Sequence, residues 1–454
     1  MCAQVIIDDN TIHASVASRI WHPNTQMCEW TDFDEIVSAD GMYLCCKDGT
    51  RLLDGVASMW CNVWGHSNRE LVAAIQKQMK VLQHSPMFNL THGPAEELAK
   101  MLITMCPGME HVFYTDNGSS AMEASIKIAL QYWKNLGEKK SKIVSLQGGY
   151  HGDTVGAMSI GYSDAFFSRY RDNLFRCRQM PVPVMHKLPR GYTVKEQQSI
   201  CLDKIDSALR DGRVAALVME SGAQVAAGAV IYPPKFQSEI SKICKKHHVL
   251  LVLDEIATGL GRLGSMAEYT AQKCSPDIVA FGKMLTGGYL TMAAVLSSRK
   301  IYRAFLGEFD DKKHLFHGHT YTGNPLAAAA SVQNLKMYEK YDLIKSIARK
   351  SRIFAENIVR LESLKAVGSV RHKGMLMGID LAVCRRKIPA ASKSSNHVLY
   401  HVAKKHGVYL RTLGNTILLV PPLAISEDEL QLLIDRTMDT IMYVQDTQGL
   451  KLAP

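Results

Sequence analysis

The sequence predicts an α/β protein: a large domain built on a mostly parallel sheet, and a small α+β domain assembled from both termini. Three observations predict it. Six short apolar runs, "HVFYT", "KIVSL", "VAALVME", "VLLVLDE", "DIVAFG" and "MAAVLSS", recur between residues 111 and 298, each bounded by turn residues. Helix-forming stretches alternate with them, and strands covered on both faces read as continuous apolar runs. Before residue 86 and after residue 340 the texture changes to short strands, turns and long helices. The expected division is an N-terminal segment over 1–85 that joins the small domain, a large domain over 86–340, and a C-terminal small domain over 341–454.

Taken in order, "EIVSADGMYLCCKDGTRLLDG" carries two turn signals, Asp40-Gly41 and Asp48-Gly49, between apolar runs, and predicts a small β-meander. "NRELVAAIQKQMKVL" spaces Leu71, Ile75 and Met79 for one helical face. A helix opens just after Asn117-Gly118 in "SSAMEASIKIALQYWKNL". Pro325 suits the first turn of the helix "NPLAAAASVQNLKMYEK". A long helix, "DLIKSIARKSRIFAENIVRLESL", leads to strands in "GMLMGIDLAV" and "VYLRTLGNTILLVPP". The closing helix starts with a capping box, Ser426 and Glu429.

Composition narrows the function classes. Across 454 residues, 47% hydrophobic and 21% charged residues suit an ordinary globular protein. The net charge of +10 is scattered, and its densest runs lack the interleaved aromatics of a nucleic-acid surface, so no nucleic-acid partner is expected. It suits anionic small substrates. Eleven cysteines without paired CxxC motifs point to free thiols in a reducing compartment. Neither a cationic start with an apolar stretch behind it nor a bilayer-length apolar run is seen, so the expected location is the cytoplasm, with no membrane partner.

"DEIATGLGRLG" contains Gly259, Gly261 and Gly264 in the spacing G-x-G-x-x-G, the mark of a dinucleotide site. A Rossmann turn needs its first glycine directly after the strand, but Gly259 follows Asp254 by five positions. The acid expected about twenty residues on is also misplaced. A nucleotide-dependent oxidoreductase stays as the rival reading from a different class.

Asp254 itself is more informative. A carboxylate at the C-terminal end of a parallel strand faces the ligand crevice, although taken alone such a residue is more often a turn acid or helix cap. One strand later, in "DIVAFGKMLTGG", Lys283 follows a strand end, where a plain surface lysine is the alternative. Together they meet the needs of pyridoxal phosphate: an amine to link to it and an acid to keep its pyridine nitrogen protonated. "TDNGSSAME" sets Gly118, Ser119 and Ser120 at a helix N-terminus, a phosphate cradle or simply a cap. Tyr150, in "QGGYHGDT", offers a ring to stack on the pyridine, or is a buried structural tyrosine. No metal is expected.

This set, with "HGHTYTGNPLA", resembles the class III (ω) aminotransferases of fold type I, from about Trp21 to the last helix. The resemblance implies a seven-stranded, mostly parallel sheet and pyridoxal 5'-phosphate as cofactor. It further implies Lys283 as the Schiff-base lysine, Asp254 as the pyridine-nitrogen partner, Gly118 and Ser119 as phosphate ligands, and Tyr150 stacked on the ring. Thr320 would reach the phosphate of the neighbouring subunit's cofactor, which implies a homodimer with active sites at its interface. Arg411 would pair with a substrate carboxylate, a task suited to a bidentate guanidinium. Trp60, Asp153 and Gly318 fall at substrate-pocket positions, and Arg262 is expected near the substrate.

"WHPNTQM", "SMWCNVWGH", "QYWKN", "GYHGDT" and "RTLG" are most similar to the branch that aminates 8-amino-7-oxononanoate to 7,8-diaminononanoate in biotin biosynthesis. Asn24 stands where the branch using S-adenosylmethionine has tyrosine, and Met59 where it has a second tryptophan. Glu220-Ser221 replaces its Glu-Pro. An S-adenosylmethionine donor brings a sulfonium and an adenine that want aromatic partners, so the absence of an aromatic at Met59 favours a slimmer donor, lysine. The same departures leave room for another ω-amino acid or a diamine as substrate.

Overall fold

The two Asp-Gly turns fold the chain as their chemistry requires. Gly41 and Gly49 take positive φ, 53° and 86°, and join three antiparallel strands, β1 (Ile36–Asp40), β2 (Tyr43–Cys46) and β3 (Arg51–Asp54). Asn68 caps α1 (Arg69–Met79) through its side chain, and α2 (Gly93–Met105) follows. The structure is a computed structural model that describes residues 18–30, 33–382 and 395–448.

The large sheet is built from β4 (His111–Thr115), β5 (Lys142–Leu146), β6 (Arg178–Met180), β7 (Val214–Glu220), β8 (Leu250–Asp254), β9 (Ile278–Phe281) and β10 (Ala293–Ser297). Their order across the sheet is β4-β10-β9-β8-β7-β5-β6. β8 is parallel to both β7 and β9, and β5 to both β6 and β7. Only β10 is antiparallel to both its neighbours. All seven residues of β7 and all five of β8 are buried, as continuous apolar runs demand. α3 (Gly118–Asn135) buries Ala121, Ile128 and Trp133 against one face of the sheet. α4 (Val194–Leu209) and α5 (Phe236–Lys246) send Ile205 and Phe236 into the core on the other. Because most strands share a direction, the C-terminal ends of β5, β7, β8 and β9 open at one rim.

α6 (Pro325–Lys340) has Pro325 at its first position, and α7 (Leu343–Glu362) leads to β11 (Val367–Lys373) and β12 (Leu376–Leu381). After α8 (Ser395–Lys405) come β13 (Val408–Tyr409), β14 (Thr412–Leu413), β15 (Thr416–Leu419) and α9 (Glu427–Gln448). A second antiparallel sheet runs β11-β12-β15-β14, while β13 pairs in parallel with β3. One small sheet is thus completed by strands from both ends of the chain. Ser426 and Glu429 form their reciprocal bonds at the start of α9.

Candidate active site

Asp254 closes β8, with Glu220 of β7 and Ala280 of β9 as its register partners. Its Oδ1 accepts the Ile256 amide at 3.0 Å, and His151 Nδ1 lies 2.8 Å from Oδ2. Glu220 is buried beside it, its two oxygens accepting the amides of Tyr150 at 3.1 Å and Val225 at 3.0 Å. Burial pushes the Glu220 carboxyl up to about 7; nearby His151 opposes this and the Asp254 charge adds to it.

Lys283 follows β9 and Gly282, itself at a φ of 44°. Its turn is closed by Gly287 and Gly288, at φ 66° and 88°. A Cβ on Gly288 would meet the Asn62 backbone at 3.0 Å, so only glycine permits that contact. Buried Asn334 of α6 donates to the carbonyls of Met284 and Leu285 at 2.8 and 3.0 Å, and accepts from Trp64 Nε1 at 2.8 Å. Enclosure lowers the Lys283 pKa, against the pull of Asp254 and Glu220. Its Nζ stands 5.2 Å from the centre of the Trp60 ring.

At the start of α3, Asn117 caps the helix by accepting the Ser120 amide at 2.9 Å. The amides of Gly118 and Ser119 precede the hydrogen-bonded turns of the helix. Ser119 Oγ lies 2.8 Å from Thr154 Oγ1, and a Cβ on Gly118 would strike Ile256 at 2.9 Å. Tyr150 is half-buried, stacked near Phe167 at 6.4 Å, and its hydroxyl is pushed well up by burial and by Asp153.

These groups converge. Lys283, Asp254, Tyr150, Gly118, Ser119, Trp60 and Asp153 all line one cavity of about 420 Å³, together with Glu220, His151 and Ile256. Glu220 appeared in the sequence only as a departure, and His151 carried no assignment. Glu220 is itself the last residue of β7, and His151 follows the end of β5 at Leu146 by five positions, so a C-terminal strand end is the signal that marks them.

Trp60 reaches the cavity on an unusual turn. Ala57, Ser58, Met59 and Trp60 all have positive φ, 47°, 47°, 73° and 71°, in a left-handed turn that costs roughly 1–2 kcal/mol per residue. Trp60 is buried, whereas Met59 points to a second cavity of about 550 Å³ that it lines with Arg411, Tyr400 and Tyr409. Arg411 Nη1 lies 3.7 Å from the Met59 sulfur. Asn24 is exposed near this second cavity, whose wall includes its neighbours Pro23 and Thr25. Within one chain Gly318 and Thr320 are exposed, and Gly318 lines a different cavity with Phe88 and Thr322.

Arg262 does not line the cavity at Lys283, contrary to the sequence expectation. It is fully buried and donates to the carbonyls of Met375 and Pro421 at 3.0 and 2.7 Å, tying the glycine loop to the C-terminal region. The loop itself is packed: a Cβ on Gly259 would meet Phe281 at 2.8 Å. Among the described residues no group of three or more side chains could hold a metal, and no helix is long and apolar enough to cross a membrane.

Fold and site define a fold type I pyridoxal-phosphate enzyme. The residues fit the cofactor: a helix N-terminus for the phosphate, a buried carboxylate for the pyridine nitrogen, and an enclosed lysine with a lowered pKa. The family model of class-III aminotransferases matches residues 31–441, and the chain belongs to that family of pyridoxal-phosphate-dependent transaminases. It is similar to the adenosylmethionine-8-amino-7-oxononanoate aminotransferase of Geobacter sulfurreducens, 38% identical over 94% of this chain and 96% of that protein. The enzyme of the same name from Methanocaldococcus jannaschii has a crystal structure that superposes with a TM-score of 0.86. It is 36% identical, covering 96% of this chain and 99% of its own. An amine transaminase from an uncultivated Pseudomonas species superposes at 0.88 with 29% identity, covering 94% and 99%.

Proposed function

We propose that this aminotransferase converts 8-amino-7-oxononanoate to 7,8-diaminononanoate in biotin biosynthesis, with lysine favoured over S-adenosylmethionine as amino donor. The preference for lysine rests on the absence of an aromatic at Met59. What carries the keto acid is 38% and 36% identity over nearly the whole chain with relatives named adenosylmethionine-8-amino-7-oxononanoate aminotransferase. Arg411 supports it: its buried Nε has no partner among the described residues, so the guanidinium can still take a carboxylate. Bound pyridoxal phosphate supplies an electron sink for carbon–hydrogen bond cleavage. Asp254 holds the positive charge at the pyridine nitrogen, Gly118 and Ser119 bind the phosphate, and Tyr150 flanks the ring. Lys283, its amine freed by enclosure, moves the proton at the reacting carbon. Trp60, Asp153, Met59 and Asn24 border the substrates.

The working unit of this proposal is a homodimer in the cytoplasm. Gly318 and Thr320, exposed on one chain, complete the site of its partner. The chain divides at about residues 85 and 340, with both ends forming the small domain.

A donor screen tests the reading. Purified protein with the keto acid should yield diaminononanoate with lysine, and less with S-adenosylmethionine; no product from either sinks the assignment. Met59 and Asn24 support a second reading, a class-III aminotransferase for another ω-amino acid or a diamine, which turnover of such substrates alone would establish. The visible absorption of cofactor-loaded protein should be altered by Lys283→Ala; an unchanged spectrum would remove Lys283 from its role.

A further inference from the structure

Four successive non-glycine residues in a left-handed turn need an anchor, and a buried carboxylate stands at its foot. Asp54, the last residue of β3, is fully enclosed. Its Oδ1 accepts the Val56 amide at 3.2 Å; its Oδ2 accepts the Ser58 hydroxyl at 2.8 Å and lies 3.2 Å from His66 Nε2. His66 Nδ1 lies 3.4 Å from Asn62 Nδ2, and Asn62 Oδ1 accepts the Gly65 amide at 2.8 Å. The network therefore grips the chain on both sides of Ala57–Trp60. On the far side, Asn62 is also the backbone against which Gly288, of the Lys283 turn, packs.

The hand of this turn aims two side chains at once. Trp60 lies beside the Lys283 amine, and Met59 meets Arg411 in the neighbouring cavity. Reversing the hand would redirect both, since the direction of each Cα–Cβ bond follows the backbone dihedrals. We propose that Asp54 is a positioning residue for both ends of the substrate path: through Val56 and Ser58 it fixes the left-handed turn that sets Trp60 beside Lys283 and Met59 against Arg411. This rests on reading Lys283 and Arg411 as the two working ends, a reading that the Lys283→Ala spectrum checks separately.

The test compares Asp54→Asn, Asp54→Asn with Ala57→Gly, and Ser58→Ala in the full-length holoenzyme. Asp54→Asn keeps the size but replaces one acceptor with a donor. The KM values for keto acid and amino donor should both rise about tenfold, the scale of a lost hydrogen bond to a charged group. Ala57→Gly should bring them back, because glycine takes positive φ freely. Ser58→Ala removes one accepted bond without touching the buried charge, and should raise both values in the same direction by less. It carries the test if Asp54→Asn does not fold. Crystal structures of the variants should show residues 57–60 leaving positive φ, a readout independent of turnover. A lowered thermal midpoint with both KM values unchanged overturns the proposal. So does a variant crystal structure in which all four residues keep positive φ while KM rises.

Discussion

His151 Nδ1 sits 2.8 Å from Asp254 Oδ2, with the histidine side chain wholly enclosed and the carboxylate nearly so. A buried carboxylate proposed to work on a cationic ring nitrogen has to be aimed, and this contact fixes its second oxygen. The amide of Ile256 fixes the first. His151→Asn should weaken cofactor binding ten- to hundredfold, since a hydrogen bond to a charged group is worth roughly 1.5–3 kcal/mol. Absorbance titration of the apoprotein with pyridoxal phosphate measures it. An affinity within about twofold of wild type would mean that Asp254 is held without His151.

Glu220 makes a prediction about pH. Burial raises its folded-state pKa to about 7, above its ordinary value of 4.5. Between those values the folded protein keeps a proton that the unfolded chain has released. The stability Glu220 contributes is therefore present below about pH 4.5 and is lost as pH rises through 7, by at most about 3 kcal/mol. Glu220→Gln cannot ionise and lacks this slope. The urea midpoint of the wild-type apoprotein relative to Glu220→Gln should be highest at or below about pH 4.5 and should fall toward about pH 8. A relative midpoint that rises with pH contradicts the sign.

How much of this was legible in the sequence depends on what each residue needed. Asp254 and Lys283 stood at the ends of apolar runs, so the strand pattern alone put them at one rim. β7 and β8 were legible because every residue in them is buried. β6 was not, because "RQM" over Arg178–Met180 is three residues long with one fully buried. β11, "VGSVRHK", mixes buried and half-exposed positions and breaks its register after Val367, so no clean alternation appears. Arg262 was misplaced because an arginine beside a cofactor loop suggests a ligand, while its carbonyl partners lie more than a hundred residues away in the chain. Asp54 and its left-handed turn had no local sign, since none of the four residues in the turn is glycine.

Asn334 links the lysine turn to α6. Its amide donates to two carbonyls directly after Lys283, and its oxygen serves Trp64. Asn334→Ala leaves these groups buried and unpaired, at roughly 1–3 kcal/mol for each unsatisfied group. The thermal midpoint should fall by several degrees. If Lys283 acts on the reacting carbon as proposed, loosening its turn should also lower kcat more than it raises either KM. Asn334→Asp keeps the acceptor for Trp64 but cannot donate, so it should show the kcat loss as well. A variant that loses stability with kcat intact would confine Asn334 to a packing role.

Thr320 is exposed on one chain and does not line that chain's cavity at Lys283 and Asp254. If Thr320 serves the partner's cofactor, Lys283→Ala and Thr320→Ala carried on opposite chains of a mixed dimer damage the same site. One site then combines both substitutions and the other is intact. Each variant alone should be impaired, with Lys283→Ala lowest, by about a hundredfold or more for loss of the acid–base group. Unfolding and refolding the two together should regenerate about a quarter of all sites as wild type, given random pairing into closed dimers. Activity of the mixture should then exceed the mean of the separate preparations. A mixture equal to that mean, with dimers confirmed by light scattering, would place Thr320 in its own chain's site or in none.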